Sequence, residues 1–159
     1  MTVFEDGPAV AMAAADRIAA ALSLGARTLV LAGGTTFGVC YQILAQRPIE
    51  WGRVTVLFGD ERCVPPDHPD SNYLMARERL LDRVMPATIY RIPAELGADL
   101  AAAEYDAVVA HLRPLDLVLL GMGPDGHTAS LFPGNNALHA DGWAVGVHGS
   151  PKPPADRVS

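Results

Sequence analysis

The chain has 159 residues, 50% of them hydrophobic and 19% charged, enough for about one domain with a core that needs neither disulfides nor metal. A formal net charge of -6 argues against a nucleic-acid partner, which would require clustered Lys and Arg. No apolar run approaches the ~18 residues of a membrane helix, and Cys40 and Cys63 lack Cys-x-x-Cys spacing, so no membrane, no metal and a reducing, cytoplasmic setting are expected.

Asp6 is placed to cap a helix with Pro8 in its first turn, running through Leu24 with Val10, Ile18 and Leu22 at helical spacing and ending at Gly25. Thr28–Ala32 reads as a short buried strand. It runs into Gly33-Gly-Thr-Thr36 and then a helical pattern over Phe37–Gln46, an order that presents backbone N–H groups and a positive helix end to an anion. Val54–Phe58 is a second strand, followed by a long polar connection, Gly59–Asn72, with Asp60-Glu-Arg62 at its start. A loop of that length with three prolines is functional or disordered, and charges at a strand's end favour function. Ser71 caps a helix to about Asp82, Ile89–Ile92 can form a strand, and Asp99 opens a helix to Leu112. Pro114 breaks that helix ahead of an apolar strand, Leu115–Leu120, and Trp143–Val147 can begin another.

The order is βαβαβαβ behind a leading helix, which predicts an α/β, Rossmann-like parallel sheet with helices on both faces. In such sheets ligands bind beyond the carboxyl ends of the strands. Gly33–Thr36, Asp60–Arg62 and Gly121–His127 all fall at such ends. Among the five histidines, His68, His111, His139 and His148 lie in polar or surface contexts and read as solvated. His127 differs, being flanked by Asp125 and Gly126 in a turn after a buried strand, where it either caps a Thr128–Phe132 turn or acts as a base. Imidazole suits the second role because its ordinary pKa of about 6.5 lets it accept a proton near neutrality. Ser130 lacks a nucleophile elbow. Arg62 reads either as a surface partner of Glu61 or as a bidentate holder of a phosphate or carboxylate. Lys152, the only lysine in the chain, and Arg157 lie in a Pro-rich stretch where charges are usually solvated.

Gly121-Met-Gly-Pro-Asp-Gly-His-Thr-Ala-Ser-Leu-Phe-Pro-Gly134, with Asp60-Glu-Arg62, Ser71-Asn-Tyr73 and Ser150-Pro-Lys-Pro-Pro154, resembles the 6-phosphogluconolactonase family. The resemblance implies a Rossmann-like fold shared with glucosamine-6-phosphate deaminases. It also implies hydrolysis of 6-phospho-glucono-1,5-lactone, a small phosphosugar lactone, to 6-phosphogluconate with no metal or organic cofactor. On that footing His127 activates water and Asp125 orders its loop. Asp60, Arg62, Lys152 and Arg157 bind the phosphorylated substrate, with Gly33, Gly34, Thr35 and Thr36 lining the site. The chain departs from the family at Phe37, where proline is common.

The deaminase family instead resembles His-x-Ala-Phe-Asn-Glu-Pro where this chain reads His127-Thr-Ala-Ser-Leu-Phe-Pro133, without the Glu. A non-catalytic sugar-phosphate sensor is the other alternative, although no helix-turn-helix accompanies this sequence. The family is usually longer. The 159 residues are therefore expected to form a single, C-terminally truncated hydrolase domain, monomeric, lacking a strand or two and a closing helix, and weakly stable and weakly active by itself.

Overall fold

A computed structural model describes residues 2–159. Helix α1, Gly7–Ser23, starts where the Asp6 carboxylate accepts the Ala9 N–H at 2.8 Å, and it buries Ile18 and Leu22. Val10 lies at the edge of that buried stripe and is exposed. Strand β1, Thr28–Leu31, leads through Gly34, at φ 102°, into α2, Thr35–Leu44. The helix thus begins two residues before the hydrophobic period suggests, because Thr35 and Thr36 carry no apolar signal but take up its first turn. Strand β2, Thr55–Phe58, is followed by α3, Asn72–Arg79, then β4, Thr88–Ile89, α4, Ala98–Leu112, and β5, Leu117–Val118.

These strands form a parallel sheet in the order β4-β2-β1-β5, flanked by helices. The α/β expectation holds. The expected strand Leu115–Leu120 contracts to two ladder residues, because the chain before it pairs through a side chain: Asp116 accepts the Arg27 and Thr28 amides at 2.8 and 2.9 Å. Leu29, Leu31, Val56 and Leu57 are buried, as continuous apolar strands covered by helices should be.

Two tyrosines finish the central strands. The Tyr41 hydroxyl donates to the Ala32 carbonyl at 2.7 Å and accepts the Ala32 N–H at 2.9 Å. The Tyr105 hydroxyl does the same for Phe58, at 3.0 and 2.8 Å. Each phenol therefore satisfies the backbone at the carboxyl end of a strand, Ala32 just after β1 and Phe58 at the end of β2, where the chain turns out of the sheet. The segments fixed in this way lead directly to Gly33 and to Asp60.

A second sheet appears where sequence reading saw only a polar loop and one possible strand. Strand β3, Glu61–Arg62, pairs antiparallel with β7, Arg157–Val158, which pairs in turn with β6, Gly146–Val147. Its register places Arg62 directly opposite Arg157. Strand β6 lies within the expected Trp143–Val147 strand, whereas β3 and β7 carry no readable alternation and only their pairing reveals them.

Candidate active site

The loop Gly121–Gly134 closes on itself. Thr128 Oγ1 donates to the Gly121 carbonyl at 2.9 Å, and the Gly123 N–H donates to the His127 carbonyl at 2.8 Å. The residues after His127 make a tight turn bridged between Thr128 and Leu131. Gly123 packs against the His127 ring and the Asp125 carboxylate so closely that a Cβ there would overlap both.

His127 Nδ1 lies 2.5 Å from Asp125 Oδ1, and its ring stacks on Phe132 with centroids 4.6 Å apart. The imidazole beside Asp125 holds that carboxyl down at about 2, so it is ionised at neutral pH. A carboxylate on Nδ1 selects the tautomer that carries its proton there, which leaves Nε2 with a lone pair to act as a base. Lys152 Nζ approaches Asp125 Oδ1 at 3.4 Å and His127 Nδ1 at 3.3 Å. With Nδ1 donating to Asp125, the ammonium is held by the carboxylate.

The cationic side of the site comes from the second sheet. Arg62 Nη1 donates to the Asp70 carbonyl at 2.8 Å and to Asn72 Oδ1 at 2.9 Å. Its Nε is buried with no acceptor among the described residues. Arg157 is 4% exposed and donates to the carbonyls of Lys152, Pro153 and Pro154, so it braces the segment that carries Lys152. Burial, and then the neighbouring Arg62, depress its pKa. Like charges directly opposite one another on paired strands are unfavourable. The pair is tolerated here beside the buried Asp60 carboxylate.

Glu61 is not the partner of the Arg62 guanidinium, as one reading of Asp-Glu-Arg held. It accepts the backbone N–H groups of Arg62, Asn72 and Tyr73 and the Ser71 hydroxyl, pinning the start of α3. Burial raises its pKa against those bonds. Asp60 is 6% exposed. Its Oδ2 accepts the Ser130 hydroxyl at 2.8 Å and its Oδ1 the Asn72 amide at 3.1 Å.

These residues surround one cavity of about 650 Å³. Gly33, Gly34, Thr35 and Thr36 form one wall at the N-terminus of α2, and His127 and Gly123 form another. Asp60, Arg62, Lys152 and Arg157 also line it, while Asp125 stands behind His127. Three segments expected at the carboxyl ends of the strands thus meet at one site, together with the β6–β7 connection.

The family described as glucosamine-6-phosphate isomerases/6-phosphogluconolactonase matches residues 5–159. The chain belongs to this family. It is 44% identical over 125 residues to the 6-phosphogluconolactonase of Nostoc sp., covering 72% of this chain and 52% of that protein. It is 38% identical over 156 residues to 6-phosphogluconolactonase 3, chloroplastic, of Arabidopsis thaliana, covering 85% of this chain and 48% of the relative. Among solved structures, a 6-phosphogluconolactonase from Shewanella baltica superposes with a TM-score of 0.87 at 30% identity, over 98% of this chain and 72% of the other. The chain spans about half the length of these two curated relatives.

Within the family framework, sequence reading passed over three residues of the site. Asn72 joins Arg62 to Asp60; its only signal was membership of the Ser71-Asn-Tyr73 motif. Ser130, weighed only as a nucleophile, is fully buried and bonded to Asp60. Phe132, the platform beneath His127, reads as an ordinary apolar residue. His148 is exposed, as expected, and also bridges Asp99 at 2.9 Å and Asp156 at 3.1 Å.

Proposed function

We propose that this chain catalyses opening of 6-phospho-glucono-1,5-lactone to 6-phosphogluconate by general-base activation of water. The observation that carries the reading is an imidazole tied through Nδ1 to Asp125 and facing the same cavity as three cations, Arg62, Arg157 and Lys152. A lactone is an activated ester, so one positioned base with donors near the developing oxyanion is sufficient, and the reading calls for no metal or organic cofactor.

Water attacks the lactone carbonyl carbon while His127 Nε2 takes its proton, giving a tetrahedral oxyanion. Collapse of this species breaks the bond to the ring oxygen, and the imidazolium returns the proton to that leaving oxygen. The opposed Arg62 and Arg157, relieved by a dianionic phosphate, supply the anion site. The Gly33–Thr36 turn offers amides and the positive end of α2 to the same ligand. Lys152 bridges the base and the anion site. The reading takes the chain as a cytoplasmic monomer acting on a small molecule without nucleic acid. Among the described residues no helix is long and apolar enough to cross a membrane.

The test is a coupled assay of phosphogluconolactone hydrolysis, corrected for spontaneous opening. Replacing His127 by Ala is expected to lower kcat by roughly 10²–10⁴, the usual contribution of a general base. Turnover within a few-fold of the parent would sink the assignment.

A further inference from the structure

We infer that Ser130 is a positioning residue, and that Asp60, with both carboxylate oxygens taken by the Ser130 hydroxyl and the Asn72 amide, is the joint between the His127 loop and Arg62, not a contact to substrate. The inference rests on the lactonase reading for its catalytic consequence, but its structural part stands independently.

Ser130 is three residues beyond His127 and two before Phe132, the ring on which His127 stacks. It is fully buried, with its amide donating to Ser159 Oγ at 3.2 Å and its hydroxyl to Asp60, 70 positions away in sequence. Ala129, between His127 and Ser130, has φ 49°. A non-glycine residue in that region persists where its surroundings over-determine it, and the Ser130–Asp60 bond is such a restraint. On the other side of the carboxylate, the Asn72 side chain donates to Oδ1 and to the Asp60 carbonyl while accepting Arg62 Nη1. A continuous chain of hydrogen bonds therefore runs from the turn that carries the base to the guanidinium that faces the cavity, with Asp60 at its centre.

A carboxylate that is 6% exposed and already accepts two protein donors presents little free surface to substrate hydroxyls. The charged and titratable groups that face it are Arg62 on β3, Arg157 on β7, His127 on its loop and the Tyr41 hydroxyl on α2. Burial raises its pKa, and the Ser130 hydrogen bond is the first of the forces that oppose the rise. Ser130 thereby opposes the protonation of Asp60 that burial favours.

Ser130→Ala, Ser130→Thr and Asp60→Asn test the inference. Without substrate, the Asp60 side-chain carboxyl is followed by carbon NMR through a pH titration. Its midpoint is expected to rise in Ser130→Ala, because a donor to the ionised form is lost, and to return towards the parent in Ser130→Thr. An unmoved midpoint in folded Ser130→Ala overturns the joint. In lactone assays, Ser130→Ala is expected to lose about tenfold in kcat/KM, the scale of one hydrogen bond to a charged group, with the acidic limb of its pH profile displaced upwards. A raised midpoint with an unaltered profile overturns the coupling to the site. Should Ser130→Ala not fold, Asp60→Asn decides: a joint between the base and the anion site predicts kcat down about tenfold together with a raised KM, whereas a KM rise at constant kcat marks a substrate contact and overturns the inference. If the parent protein shows no hydrolysis above the spontaneous rate, the functional reading fails, and the NMR titration alone decides the joint.

Discussion

Gly123 shows how narrowly the base is set. A side chain at this position would occupy the space of the His127 imidazole and the Asp125 carboxylate, so the glycine is required by close approach. Gly123→Ala is expected to displace the ring and lower kcat by at least tenfold, in the range that small misplacements of catalytic groups cost, while KM changes little. Steady-state kinetics of a variant with an unchanged circular dichroism spectrum would check it. Asp125→Asn tests the orientation itself. An amide can donate to Nδ1 and so favour the tautomer whose Nε2 carries the proton, and kcat should drop by a factor comparable to His127→Ala. Because the Asp125 carboxyl is already held near 2, its protonation does not limit activity above about pH 4, where an ordinary aspartate has its midpoint.

At the scale of elements, the site depends on how the strands end and on how the β6–β7 connection is fastened. Tyr41 closes β1 with both functions of its hydroxyl. Tyr41→Phe leaves the Ala32 N–H and carbonyl without that partner and is expected to cost about 1–3 kcal/mol, the penalty for unsatisfied buried groups. Urea titration would show this as a lowered midpoint at constant slope. The β6–β7 connection carries Lys152, leads into Arg157 at the start of β7 and is tied down by His148, whose ring nitrogens meet Asp99 at the start of α4 and Asp156 before β7. Only the imidazolium donates to both carboxylates, and those bonds, Asp99 first, raise the His148 pKa above the ordinary 6.5. The stabilisation is therefore complete below about pH 6.5 and is lost as pH rises through the higher folded-state value. The pair is largely exposed, so the effect belongs in the range of surface ion pairs, up to about 1 kcal/mol. Thermal melts between pH 5 and 9 should show a decline in this window that His148→Gln removes.

For the molecule as a whole, a net charge of -6 surrounds a cavity whose arginines come from a separate small sheet and whose lysine comes from the β6–β7 connection. Attraction of an anionic substrate to that cavity is local and screened by salt, with a Debye length of about 10 Å at 0.1 M and about 3 Å at 1 M. KM for the phosphorylated lactone is expected to rise several-fold across that range with kcat nearly constant. A KM indifferent to salt would place the phosphate away from the Arg62–Arg157 pair.

The sequence by itself determined the alternation of strands and helices, because a four-residue apolar strand, a capping Asp6 or Ser71 and a breaking Pro114 act on their own neighbours. It also determined the candidate residues, since His127, Asp125, Arg62 and the glycine turn lie within short motifs at strand ends. The tertiary structure decided what those motifs become together. The two-residue strands β3 and β7 have no pattern of their own and exist only through pairing across long stretches of chain, and that pairing sets Arg62 opposite Arg157. Likewise, nothing local to Ser130 announces a bond to a carboxylate 70 positions away. Hydrogen bonds and charge pairs of that kind depend on distance in space, which periodicity along the chain does not encode.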